Sequence, residues 1–235
     1  MAKGIGKALE SAIRDEEVQA EIKRSSRHIL LNQHRRDIFS QLTLTPCIGM
    51  SQLAEKTGIA QNTVEWHLDA LLKEDFVSEI RVGRRRAFYP QGLINKEQAE
   101  FFFVLNLPRH TDVLFSVIEG AGMSQAEISK KTGDSRQTVA KAMNELEGVG
   151  LVTKVADGNN IRYYTTTMLP DKAEEFYQHS KDFTDYIMKK LKHQGGKGSE
   201  IVKKGLDRII VETGFASGRF TVEVGINPYI TCASC

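Results

Sequence analysis

The sequence predicts a mainly α protein with small β hairpins, an α+β fold in which one helix-rich module occurs twice. A helix and a small β appendage follow. Three observations carry this reading. The chain matches itself at one spacing, since Thr57 and Thr132, like Tyr89 and Tyr164, stand 75 residues apart. Each copy shows apolar residues at helical spacing, then alternating residues around a glycine. The composition, 40% hydrophobic and 26% charged over 235 residues, is that of a globular chain long enough to bury two small cores.

The repeat is specific. Without a gap, Lys56, Gly58, Thr63, Val64, Leu71, Val77 and Gly83 also meet identical residues in Lys131, Gly133, Thr138, Val139, Leu146, Val152 and Gly158. Leu53/Ile128, Leu68/Met143 and Phe76/Leu151 are like-for-like apolar exchanges. Ordinary amphipathic helices match at a few apolar positions, but they do not also align two glycine turns.

Each copy opens with a leading helix, roughly 30–43 and 109–119. A short helix (about 51–57; 126–132) then stops at Gly58 or Gly133, where glycine accepts the left-handed conformation. Three residues later a further helix starts, with Val64, Leu68, Leu71 and Leu72 on one face; Val139, Met143 and Leu146 are the counterparts. Ser135 is a good N-cap for the second copy, whereas Ala60 in the matching place cannot cap through its side chain. Two strands turning at Gly83 or Gly158 close each module, "FVSEIRV" to "RRAFYP" and "LVTKVAD" to "IRYYTTT". Helix, helix, turn, helix and hairpin make a winged helix-turn-helix, here in tandem.

The chain so divides into an N-terminal helical extension (1–27), a first module (28–95) and a second (96–170). An amphipathic helix (171–194) precedes a linker and small β-rich segment (195–235).

The stretch "SQLAEKTGIAQNTVEWHLDALLKEDFVSEIRVGRRRAFYP" resembles the winged helix-turn-helix of archaeal transcriptional regulators in the broad ArsR/MarR-like class. "SQAEISKKTGDSRQTVAKAMNELEGVGLVTKVADGNNIRYYTTT" resembles a second member. The likeness covers about 28–90 and 109–167. It implies that the helix after each turn enters the major groove of DNA. The residues so placed are Gln61, Asn62, Thr63, Glu65 and Trp66 in the first copy, and Ser135, Arg136, Gln137 and Lys141 in the second. Gln and Asn can pair with adenine, Arg with guanine and Glu with cytosine, while Trp can pack on a thymine methyl.

The hairpin carries its own signal. Net charge is only +2, so global charge does not demand a polyanionic partner, yet Arg81, Arg84, Arg85 and Arg86 crowd one turn. From Arg81 to Lys96 there is no acidic residue. Such a wing suits a phosphate track or a narrow minor groove. The second wing keeps Arg162 and Lys154 but replaces three arginines by Asn159, Asn160 and Ile161 beside Asp157. It therefore binds DNA more weakly or serves protein contacts. A basic cluster, Lys23, Arg24, Arg27, Arg35 and Arg36, reads as a solvated face or a second DNA contact. His67, between outward Trp66 and core Leu68, reads as helix packing.

Residues 171–192 read as one helix whose stripe, Phe176, Phe183, Ile187 and Leu191, is core for the second module or a dimer seam. "HQGGKGSE" reads as a flexible linker. "RIIVETG", "RFTVEVG" and "PYITCASC" suggest two or three strands. Cys232 and Cys235 form a CxxC that is weak as a metal site, since zinc takes four ligands, and two chains or a redox role would be needed to use it. No Walker loop, nucleophile elbow or HExxH motif appears, so the expectation is a non-enzyme without cofactor. With no spanning or signal segment and three cysteines, the expected setting is cytoplasmic. The expected partners are double-stranded DNA and a second copy of the chain, with the transcription machinery as a further partner. The rival readings are a protein-interaction module of transcription or chromosome-organising machinery, and a non-specific chromatin protein.

Overall fold

The computed structural model describes residues 29–194, 197–215 and 218–232. The extension expected over 1–27 and Cys235 lie outside the described residues. After a 3₁₀ turn at Ile29–Leu31, the first unit runs α1 (Gln33–Leu44), α2 (Met50–Thr57), α3 (Gln61–Lys73), β1 (Val77–Val82) and β2 (Arg85–Pro90). The second unit runs α5 (Pro108–Glu119), β3 (Met123–Ser124), α6 (Gln125–Thr132), α7 (Arg136–Gly148), β4 (Val152–Asp157) and β5 (Asn160–Thr165). The element order recurs as expected, with α4 (Lys96–Leu105) between the units.

Local chemistry places each stop and start. Gly58 and Gly133 end α2 and α6 at φ +67° and +75°, the left-handed values that spare a glycine the clash of a Cβ. Asn32, Asn95, Ser124 and Ser135 cap α1, α4, α6 and α7, each accepting an N–H of the first turn. Ala60 leaves α3 without a side-chain cap.

Both units fold around the faces that the spacing marked. Ile38, Phe39, Leu42, Leu53, Val64, Leu68 and Leu71 are wholly buried in the first, and Val113, Val117, Ile128, Val139 and Leu146 in the second. β1 and β2 pair antiparallel from Val77↔Pro90 to Val82↔Arg85. β4 and β5 repeat that register from Val152↔Thr165 to Asp157↔Asn160, and β3 adds a short edge to β5.

Helix α4 was not expected. Its aromatic run, Phe101, Phe102 and Phe103, is buried between the units, and the Phe101 and Phe102 rings lie 5.6 and 4.9 Å from Tyr229 near the C-terminus. No single helix among the described residues is long and apolar enough to cross a membrane. α4 and α5 meet that length and composition only as a pair bent by 75°.

The C-terminal third departs from expectation at three points. Residues 171–192 are not one helix, because α8 (Met168–Glu175) and α9 (Tyr177–His193) divide at Phe176. α8 also begins before Pro170. A proline in the first helical turn gives up an N–H that has no intrahelical partner anyway. Second, the supposed linker is partly a strand, β6 (Lys197–Lys204), which pairs with β7 (Arg208–Phe215) and through it with β8 (Gly218–Gly225). Third, "PYIT" is a short helix, α10 (Pro228–Thr231), opened by its proline.

The stripe on α9 is used inside the chain. Phe176, Phe183, Ile187 and Leu191 are all buried. Neighbouring groups fasten α9 to the first unit. His179 Nε2 donates to the Gly92 and Leu93 carbonyls at 3.1 and 2.9 Å, and Lys190 Nζ donates to the Asp75 carbonyl at 2.8 Å. β8 rests on α1, where the Gly225 N–H donates to Thr43 Oγ1 at 2.9 Å. Arg36 is part of the same joint, with Nη1 donating to the Leu30 and Leu31 carbonyls and its guanidinium 4.5 Å over the Phe220 ring.

Candidate nucleic-acid interface

Helix α3 offers solvent two flanks. Gln61, Asn62, Thr63, Glu65 and Trp66 are exposed, while Val64, His67 and Leu68 point inward. On one flank Gln61 and Glu65 face the wing, and both line a cleft of about 530 Å³ together with Arg84, Arg85 and Arg86. On the other flank the Arg35 guanidinium lies 5.4 Å over the Trp66 ring, and Trp66 is 61% exposed. The cation stacked on it holds a large ring in place while leaving it facing water. Arg35 belongs to the basic cluster of the sequence, but nothing in its spacing singled it out. Only the crossing of α1 and α3 brings it to Trp66.

The four wing arginines differ in what holds them. Arg86 is the central clamp, with Nη2 on Glu79 Oε2 at 2.8 Å and Nη1 on Glu65 Oε1 at 3.3 Å. Its guanidinium also lies 5.2 Å over the Phe88 ring. Arg81 Nε donates to Glu79 Oε1 at 2.9 Å. These hydrogen bonds, Arg86 first and Arg81 second, hold the Glu79 carboxyl below the usual carboxylate range. Arg84, in the Gly83–Arg84 turn, and Arg85 beside it form no ion pair among the described residues. Their charge is the part of the wing left for a partner.

His67 is buried against His34, ring centroids 5.5 Å apart. Burial first, then the nearby charges of Arg35 and His34, push its pKa below the ordinary value. Its role is packing, as its place in the sequence suggested.

In the second unit, Ser135 is occupied as a cap, its Oγ accepting the Thr138 N–H at 3.2 Å. Arg136, Gln137 and Lys141 are exposed along α7. Lys141 Nζ lies 3.9 Å from Glu145, which also meets His110 Nε2 at 2.6 Å. Arg162 is tied down, donating to Asp157 and Glu127, each at 3.1 Å, and to the Gly122 carbonyl at 3.2 Å. Lys154 pairs with Glu147 at 2.7 Å. The second wing turns Val155, Ile161 and Tyr164 outward, from 37 to 49% exposed. Among the described residues no hydrogen bond or ion pair joins the exposed residues of α7 to those of α3.

No cluster of three or more His, Cys, Asp or Glu among the described residues could hold a metal ion. Cys232 lies in the turn after α10, and burial pushes the thiol of Cys47 well above its usual range.

Comparison with known proteins bears on both units. A winged helix-turn-helix DNA-binding family model matches residues 31–78, and a MarR family model matches 105–162. The first unit is thus similar to known winged helix-turn-helix domains and the second to the MarR family. An uncharacterized HTH-type transcriptional regulator of Methanocaldococcus jannaschii is 24% identical over 136 residues, 58% of this chain and 34% of that protein. The match therefore spans about a third of the relative's length. Among solved structures, ScpB from Mycobacterium tuberculosis covers 60% of this chain and 94% of its own at 18% identity, with a TM-score of 0.25. A protein of Corynebacterium diphtheriae covers 56% and 26% at 14% identity, with a TM-score of 0.23. Both matched family segments contain the helix after the turn, and the MarR-like segment ends at Arg162 on the second wing.

Proposed function

We propose that the chain is a sequence-specific, double-stranded DNA-binding transcriptional regulator, acting in the cytoplasm as a homodimeric repressor. The observation that carries this is the juxtaposition at α3. Exposed Gln61 and Glu65 share one cleft with the unpaired charges of Arg84 and Arg85, and Trp66 with Arg35 stands on the opposite flank. Polar side chains on the helix read base edges in the major groove, and the wing follows the backbone or minor groove. Arg81 and Arg86 shape the wing through Glu79, while Arg84 and Arg85 supply the phosphate contacts. Repression follows from occupancy, since a bound regulator bars polymerase or a basal factor from the same DNA.

The second unit adds Arg136, Gln137 and Lys141 to the interface, with Ser135 positioning the start of α7. A different reading has specific support here alone. Arg162 and Lys154 are internally paired, and apolar Val155, Ile161 and Tyr164 face solvent, which suits a protein contact with the transcription machinery better than a phosphate.

The test is selection of duplexes from a random library by the purified chain. A palindromic motif with half-sites about one helical turn apart, roughly 10 to 10.5 base pairs, is the expected result. Retention without an enriched motif would mean a non-specific coating protein. No retention at low salt would sink the DNA reading and leave a protein partner for both units.

A further inference from the structure

Helix α9 and the C-terminal sheet enclose an opening of their own. Where the start of α9 meets the turn between β6 and β7 lies a groove of about 280 Å³, with Tyr177, Lys181, Thr184, Lys204, Leu206 and Ile226 in its walls. It shares no lining residue with the arginine-lined cleft beneath the wing. Two large apolar side chains stand open there, Leu206 at 70% exposure and Tyr177 at 51%. Both sit on fixed backbone. The Leu206 turn is closed by the Gly205 N–H donating to the Arg208 carbonyl at 2.8 Å. The Ile226 and Asn227 N–H groups both donate to the Asp207 carbonyl, at 2.7 and 3.1 Å. Tyr177 opens α9, and Lys181 Nζ, one turn on, lies 4.7 Å over its ring. A leucine and a tyrosine held side by side in water offer apolar contact to a partner.

The rim has one sign of charge. Lys181 and Lys204 are cations, no acidic residue lines the groove, and neither lysine forms an ion pair among the described residues. The carboxylate of neighbouring Asp207 is taken by Arg208 Nε at 2.7 Å. Size then decides the kind of occupant. The groove falls just below the range of about 300–1,000 Å³ typical of sites that enclose a whole small molecule, and it suits one side chain inserted from a longer segment.

We propose that this groove docks an acidic peptide segment of a protein partner. One apolar side chain of the segment seats against Tyr177 and Leu206, and the carboxylates flanking it pair with Lys181 and Lys204. Taken with the proposed function, on which this consequence alone rests, the groove lets a chain engaged on DNA hold a protein at the same time.

The probe is the fluorescein-labelled peptide GDEDLDEDG, titrated into the full chain and read by fluorescence anisotropy. Changing its leucine to alanine should weaken binding roughly tenfold, about the burial of two methylenes. Lys181→Gln with Lys204→Gln should weaken the parent peptide by roughly tenfold and flatten its salt dependence. Leu206→Glu, at an exposed turn, should weaken it at least as much with the circular dichroism spectrum unchanged. A selected duplex should leave the peptide bound. No binding, equal affinity for the alanine peptide, or affinity insensitive to Leu206→Glu would overturn the groove. Displacement by the duplex, with affinity insensitive to the two lysines, would put the peptide on the wing arginines and overturn the proposal as well. If the chain binds no duplex at all, the peptide result still stands and only the bridging consequence fails.

Discussion

Arg84 and Arg86 are two residues apart and have different jobs. Arg86 commits its guanidinium to Glu79 within the wing and to Glu65 on α3, whereas Arg84 and Arg85 meet no anion among the described residues. Replacing Arg84 and Arg85 by Gln should therefore weaken binding to every duplex. The slope of log K against log salt should fall by roughly 0.9 for each phosphate that is no longer neutralised. Arg86→Gln should instead disturb the wing and free Glu65. A filter-binding titration across salt concentrations separates the two, and an unchanged slope in the double variant would refute the phosphate assignment. The histidines make a second residue-scale prediction. His67 and His110 are both buried, and burial is the leading cause that lowers each pKa, outweighing for His110 the opposing pull of Glu145. The unfolded chain then takes up protons near pH 6.5 while the folded chain resists. Stability is full above that pH and is lost as pH falls through the lowered folded values. Urea midpoints should drop between pH 7.5 and 5, and His67→Gln with His110→Gln should flatten that drop.

At the scale of elements the repeat sets up an internal control. Ser135 and Ala60 occupy the same place before α7 and α3, both with extended backbones, at φ −65°, ψ 151° and φ −57°, ψ 139°. Only Ser135 supplies an oxygen to the first turn. Ala60 is exposed, so Ala60→Ser adds the missing acceptor without crowding. It should stabilise the chain by about 0.5–2 kcal/mol, read as a raised urea midpoint at unchanged m-value. A neutral or destabilising result would mean that the start of α3 is not held as described. These elements were legible because their signals are local: a glycine where a helix must stop, apolar residues every three or four, a glycine at each hairpin turn. β6 was not legible for an equally local reason. Its register against β7 shifts between Lys197 and Glu200 and again between Ile201 and Lys203, so alternation is broken along the strand. α4 escaped because its apolar run, Phe101 to Leu105, is contiguous rather than periodic. A buried block of that kind shows no face.

For the whole molecule, the decisive feature is that the C-terminal segments are not an appendage but a brace on the first unit. α9 is fastened at Asp75, Gly92 and Leu93; β8 lies on α1; Thr231 Oγ1 donates to the Leu44 carbonyl at 2.6 Å. Sequence alone could assign each proposed DNA-contacting residue to a helix or wing. It could not say that Arg36 belongs to the brace and Arg35 to the exposed patch, because that depends on which distant strand covers α1. Gly225 is where the brace is tightest. A Cβ there would lie 2.4 Å from the Thr43 carbonyl oxygen and 2.7 Å from its carbon, both backbone atoms that cannot swing aside. Gly225→Ala must therefore push β8 off α1 or bend one of them, at a cost of about 1–3 kcal/mol or more, as for overpacking elsewhere. It also threatens the hydrogen bond from Gly225 N–H to Thr43 Oγ1. Amide exchange should show β7, β8 and α10 losing protection together, while α6 and α7 keep theirs, since they pack on α5 and on each other whereas β8 packs on α1. Thr43→Ser, which keeps the hydroxyl, should leave that protection in place. Uniform loss across both units would mean instead that the chain unfolds as one block and the brace has no separate existence.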